Sequence, residues 1–170
     1  MRRYSCLLMV FIVLALGANH MIGATAATAA SAAEIDRNVN AALEKLYAKS
    51  PSAKVLAQSA KGILVFPSIV KGGFIVGGQF GEGALRMGSK TVAYYNTISA
   101  SYGLQAGLQK YGYVLFFMTD SALSYLDRSD GWEVGIGPSI VIVDEGLAKS
   151  ISTTTAKSDV YAFFFDQRGL

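Results

Sequence analysis

Between Lys61 and Arg86 the sequence reads KGILVFPSIVKGGFIVGGQFGEGALR, an apolar stretch carrying one proline and seven glycines. Taken as an extended strand from Phe74 onward, its side chains divide by parity. Phe74, Val76 and Phe80 point one way, and Gly73, Gly77, Gly81 and Gly83 fall on the other, because successive residues of a strand face opposite sides. Glycine costs backbone entropy in a strand, so a bare face marks a bulge, a sharp bend or a close neighbour. The expected consequence is a strongly curved sheet. A flexible loop would not space Phe74, Ile75, Val76, Phe80 and Leu85 so regularly. Nor is a nucleotide-phosphate loop spelled out. Neither G-x-G-x-x-G nor G-x-x-x-x-G-K-S/T occurs, and the gap from Gly83 to Gly88 is followed by Ser89 and Lys90 in the wrong order.

The start of the chain has the layout of a secretory leader. Arg2 and Arg3 precede an apolar run over residues 7–16, and small residues allow cleavage after Ala26 or as late as Ala32. Asn19 and His20 interrupt the run well short of the roughly 20 apolar residues that a spanning helix needs. Cys6 precedes the run, so lipid attachment at a cysteine following it is not supported. Cleavage would remove the one cysteine, Cys6, and the one histidine, His20. The remaining chain would then have no disulfide, thiol nucleophile, imidazole base or His/Cys metal ligand, which excludes serine-histidine and cysteine enzymes and the usual zinc sites. No cofactor is expected.

Residues 34–170 have the size of one domain. A helix is expected over residues 34–50, with Ile35, Val39, Ala42, Leu43, Leu46 and Tyr47 on one face and Arg37, Glu44, Lys45 and Lys49 off it. Ser50-Pro51 restarts the pattern as N-cap and first helical residue, and a second helix with Val55 and Leu56 inward ends at Gly62. These stripes read first as core and second as a membrane-inserting face. Strands follow over residues 63–66 and from Phe74, with a turn at 87–90. One long bent strand or two cover residues 91–109, where Ser99, Ser101, Gly103, Gln105 and Gly107 make a small, polar side. This repeats the glycine motif's pattern, so the two are expected to be neighbours in a tightly curved or barrel-like sheet. Lys110-Tyr111-Gly112 bends the chain into a buried strand over 113–118. Thr119-Asp120 caps a short helix with Ala122, Leu123 and Leu126 inward, stopped at 129–131. Strands over 132–143 and 159–165 complete an α+β fold with a mainly antiparallel, glycine-rich sheet.

Carboxylate chemistry has one candidate, Glu82, set among glycines, but no second carboxylate pairs with it. Glu82 and Arg86, four apart on one strand face, read as a salt bridge. Asp127, Ser129, Asp130 and Glu133 lack EF-hand spacing and read as a helix-stop turn rather than a metal site. Many aromatics accompany the lysines, yet the formal charge of +3 falls to +1 once Arg2 and Arg3 are removed, so nucleic acid is not an expected partner. The charge is polarised. Residues 34–90 carry eight basic and four acidic residues, residues 91–170 five and eight. That asymmetry can orient a protein on an anionic surface.

The stretch AKGILVFPSIVKGGFIVGGQFGEGALR, followed by TVAYYNTISASYGLQAGLQ, resembles the SYLF domain over residues 41–170. The resemblance implies binding of phosphoinositides and other anionic lipids, helped by an amphipathic N-terminal helix, and in some fungal members actin binding and bundling. It also implies that the chain is no enzyme. It names no headgroup contact. On electrostatic grounds Lys54, Lys61, Lys71, Arg86 and Lys90 are the candidate lipid-binding residues, joined by Lys45 and Lys49 on the first helix, since each basic residue near an anionic surface contributes roughly 1 kcal/mol. A leader makes anionic bacterial phospholipid the expected partner rather than actin or phosphoinositide. The expected place is the periplasm or envelope, peripheral to a membrane. The family pattern continues past Gly169-Leu170 into another small-residue strand, so an open sheet edge is expected, through which the chain could form homo-oligomers.

Overall fold

Serine and proline punctuation sets the two N-terminal helices. Ser31 accepts the backbone N–H of Glu34 and starts α1 (Ala32–Lys49), and Ser50 ends it while Pro51 opens α2 (Pro51–Ser59). The second helix stops earlier than expected, at Ala60, because Gly62 is already the first residue of a strand. The computed structural model describes residues 30–73, 76–102, 107–128, 137–149, 151–152 and 157–169. The leader, the expected stop at 129–131 and the first part of the strand expected from residue 132 lie outside them.

The first strand of the glycine motif runs well beyond residues 63–66, and the expected second start, Phe74, lies outside the described residues. The motif forms the two arms of a hairpin: β1 (Gly62–Gly73) runs through Pro67 and pairs antiparallel with β2 (Val76–Met87), closing at Gly73 opposite Gly77. Proline is tolerated inside this central strand because the register shifts there against both neighbours, between Val65 and Ser68 toward β2 and between Phe66 and Ile69 toward β4 (Gly107–Phe117). Bulges are where a strand absorbs a missing N–H. Part of the glycine pattern, at Gly83 and Gly112, follows from the same bulge. A Cβ at Gly83 would collide with the Val65 carbonyl oxygen and come within 2.8 Å of the Phe66 ring, and one at Gly112 on β4 would lie 2.8 Å from the Pro67 carbonyl oxygen.

The turn at 87–90 leads into β3 (Lys90–Tyr102), which pairs with β2, as expected of neighbouring small-faced strands. Residues 91–109 are therefore two strands, and Lys110-Tyr111-Gly112 lies inside β4 rather than before it. Helix α3 (Asp120–Arg128) follows, then β5 (Ile140–Ile142), the one-turn α4 (Glu145–Ala148) and β6 (Val160–Gly169). Asp144-Glu145-Gly146 is thus a capped helix start rather than a plain turn, with the Asp144 carboxylate accepting the Leu147 N–H at 2.8 Å.

The strand order is β3-β2-β1-β4-β6-β5, antiparallel except for the short β5–β6 pair. The sheet of described residues is open, with β3 and β5 as its edges, rather than a closed barrel. Its two faces carry separate cores. The apolar stripe of α1 (Ile35, Val39, Ala42, Leu46) and Leu56 of α2 pack on Ile63, Val65, Val114, Phe116 and Phe163. Helix α3 packs Ala122 and Leu123 on Leu64, Leu85, Leu115 and Phe117 from the other side. Phe116 meets Phe163 edge-on at 5.5 Å, and Phe66, Tyr113 and Phe164 stack in series at 5.1 and 5.7 Å. Burial pushes the Tyr113 phenol up to about 12.

Asp159 ties three strand ends together. Its carboxylate accepts the Ser139 N–H at 3.2 Å, the Ser139 hydroxyl at 3.0 Å and the Thr119 hydroxyl at 3.3 Å. The Ser139 N–H foremost, then the hydroxyls, hold its pKa below the ordinary carboxylate range. The stability this clamp contributes is complete above the unfolded-state value near 3.9 and is lost as pH falls through the lower folded value. Amide exchange at Ser139 and Val160, taken relative to the intrinsic rate, should accelerate in the native protein as pH falls below the unfolded-state value near 3.9. In Asp159→Asn it should be fast at every pH, and equal acid sensitivity in both proteins would show that the clamp is not the cause.

Candidate functional site

Both helical layers cover only part of the sheet. Helix α1 crosses one face obliquely: Ala30, just before it, donates its N–H to Glu82 at 3.1 and 3.3 Å, and Lys45 and Lys49 near its end bind the Asp166 carboxylate. Beyond that line the strands run on uncovered among the described residues. Across this far end the register aligns Ile98, Phe80, Val70, Lys110 and Arg168 in one row on β3, β2, β1, β4 and β6. Ile98 is 71% exposed, Phe80 46% and Val70 41%. Leu108, 47% exposed, adds to the same face, its side chain 3.1 Å from where a Gly72 Cβ would stand. With strands about 4.8 Å apart, the row is about 19 Å wide. Three apolar side chains are followed by two cations.

The opposite face of this end is more polar. Lys71 stands opposite Gln79 and Gln109, and the Tyr111 hydroxyl donates to the Gln79 side-chain oxygen at 3.0 Å. Partial burial raises the Tyr111 phenol above its ordinary value. At the end of the sheet a shallow cavity of about 410 Å³ draws its lining from residues of both faces, Lys71, Gln109, Tyr111 and Phe164 from this one and Lys110 and Arg168 from the apolar row, with Gln167 and Gly169 beside them. Asp166 makes it possible: its left-handed backbone, φ 52°, lies within the shift that brings Arg168 opposite Lys110.

The seven basic residues picked out by charge do not form one patch. Lys45 and Lys49 hold α1 to Asp166, and those hydrogen bonds, Lys45 foremost, lower the pKa of that carboxylate below its ordinary value. Arg86 does not pair with Glu82. Its guanidinium donates to the Asn40 side chain and the Ser89 carbonyl, fastening α1 to the β2–β3 turn, while Asp36 accepts from Thr91 at 2.7 Å and Tyr94 at 3.0 Å beside it. Lys61 is 3.9 Å from Asp120, and Lys90 lies at the same sheet end. Lys54 is exposed on α2. Lys71 lies eight residues along β1 from Ile63, about 26 Å away, at the far end. Its spatial neighbours Lys110 and Arg168 escaped the charge reading because they belong to the acidic half of the sequence. Only strand register brings them to Lys71.

Glu82, the one carboxylate weighed for acid-base chemistry, is half-buried and accepts the Ala30 N–H. No helix among the described residues is long and apolar enough to cross a membrane. Compared with protein-family models and with the curated proteins, the chain matches none.

Proposed function

We propose that the chain is an exported, noncatalytic SYLF-like domain that associates peripherally with anionic phospholipid through the far end of its sheet. The carrying observation is the exposed row Ile98, Phe80 and Val70 continued by Lys110 and Arg168. Apolar side chains gain by leaving water, and cations beside them gain from anionic headgroups. An amphipathic surface of this kind lies in an interface plane without crossing it. The first helix has a different part in this reading from the one its periodicity suggests. Its apolar stripe is core, so it holds the sheet rather than entering lipid.

Flotation with vesicles tests this. The protein should rise with phosphatidylglycerol-containing vesicles, remain below with pure phosphatidylcholine, and lose part of its binding between 50 and 500 mM salt, roughly the span over which screening tightens from about 14 to 4 Å. Absence from phosphatidylglycerol vesicles at low salt would end the proposal.

A second reading has its own observation. Edge strand β3 is 13 residues long, carries Lys90 as its one charge, and exposes Val92, Tyr94 and Ile98. Long edges with few charges invite pairing with another chain, which would also continue the curvature toward a barrel-like form. A salt-independent oligomer with no affinity for vesicles would favour an envelope assembly module instead.

A further inference from the structure

Glu82, the carboxylate set among glycines, has both side-chain oxygens on the backbone N–H of Ala30, at 3.1 and 3.3 Å. We propose that Ala30 is the first residue of the processed chain, and that Glu82 is the binding site for the α-ammonium freed when the leader is cut after Ala29. The cut itself rests on the exported reading, whereas the fit of Glu82 to an ammonium stands on separate observations.

The first is the state of the carboxylate. Glu82 is half-buried on β2, and among the described residues it has no ion pair. The cation four residues along the same strand face, Arg86, donates instead to Asn40 and the Ser89 carbonyl. A carboxylate offers about four acceptor positions, and one neutral N–H shared between its two oxygens fills them poorly. An ammonium in the same place brings a full positive charge and three N–H groups, one for each oxygen and one for water.

The second observation is where the folded chain starts. Ala30 packs against the core beneath α1, and Ser31 caps that helix, its hydroxyl accepting the Glu34 N–H at 3.3 Å and its carbonyl the Glu34 and Ile35 N–H groups at 2.9 Å. A cut after Ala32 would remove the cap, the Ala30 contact and the Glu82 partner together. The third is the sequence. Ala27 and Ala29 place small residues three and one before the bond, as the peptidase requires. Cutting after Ala26 meets the same rule but leaves Ala27-Thr28-Ala29 in front, which carries the charge up to about 10 Å of chain away and keeps the Ala30 nitrogen a neutral amide. The peptidase acts on the unfolded chain, so the fold does not steer it. Of the three products, the one starting at Ala30 folds with opposite charges on the two sides of the contact.

The reactants are the chain and water, with the exporting cell's signal peptidase as catalyst. The water oxygen bonds to the Ala29 carbonyl carbon as the C–N bond to Ala30 breaks. Ala29 leaves as a carboxylate, and both protons of the water end on the Ala30 nitrogen, which holds three at neutral pH, its ordinary pKa being about 8.

The test expresses the full chain in an exporting bacterial cell and sequences the N-terminus of the product, which should read Ala30-Ser31-Ala32. Its α-amino group, followed by NMR with 13C-labelled alanine, should titrate at least about 0.5 pH units above the ordinary value near 8, a threefold gain in proton affinity. Glu34 in the first turn of α1 acts in the same direction as Glu82, and the positive end of the helix acts against both. In Glu82→Gln the cut should be unchanged and the α-amino group should return to about 8 or below. Glu82→Asp, which keeps the charge on a shorter arm, should retain part of the rise. A product starting at Ala27 or Ala33 would overturn the assignment and leave export standing. So would a product starting at Ala30 whose α-amino group titrates at the ordinary value, or alike in the native and Gln proteins. A chain that keeps its leader would remove the exported reading and the ammonium site together.

Discussion

Replacing Gly83 by valine is expected to cost about 3 kcal/mol or more and to lower the melting temperature by about 10 °C. The added Cβ would meet the Val65 carbonyl oxygen and the Phe66 ring. Neither can step aside easily. Val65 is fully buried and sits at the start of the β1 bulge, β1 is paired on both sides, and β2 is held between β1 and β3. Relief would require backbone movement across three strands, which is why the cost exceeds that of an overpacked side chain able to change rotamer. Domains of this size have only about 5–15 kcal/mol in hand. Gly88→Asn is the matched control. Gly88 has φ 60° in the β2–β3 turn with nothing near an added Cβ, a conformation asparagine tolerates, so its effect should stay within about 0.5 kcal/mol. Thermal unfolding followed by circular dichroism separates the two. Equal melting temperatures would show that the glycine face is not needed for the close approach at the bulge.

That same bulge explains how far the sequence could be read. The parity of Gly77, Gly81 and Gly83 against Phe80 was legible, because it depends only on strand period. The pairing of Gly73 with Gly77 was not, because a glycine-rich strand and two glycine-rich arms have the same local pattern, and Pro67 reads as a break until both neighbouring strands are seen to shift with it. Helices α1, α2 and α3 were legible from caps and apolar spacing, and the core reading of the α1 stripe is the one the fold bears out. The candidate site was legible only through Lys71. Lys110 and Arg168 are 39 and 97 residues away in sequence and come together through the order β1-β4-β6, which no local signal states. Conversely, Arg86 and the two lysines of α1 bore the right charge but are occupied in holding that helix to the sheet.

The largest functional effect is expected from Phe80→Asp combined with Ile98→Asp. Each side chain loses the gain from entering an apolar interface, about 1 kcal/mol for residues already partly buried, and each new carboxylate is repelled by anionic headgroups. Vesicle association should fall at least 30-fold at low salt. Stability should fall by only about 1–2 kcal/mol, since 46% and 71% of these residues' surface is already in water although the two new carboxylates stand opposite each other across β2 and β3. Val92→Asp with Ile142→Asp removes equally exposed apolar side chains, 51% and 64%. Val92 is near the opposite end of β3 and Ile142 is on β5, so this pair should float as the native protein does. The comparison isolates position from hydrophobicity. If the two double variants lose binding alike, the far end has no special part and the surface reading fails. If neither loses it, adhesion is electrostatic alone, and the apolar row is free for the β3-edge assembly that the second reading describes.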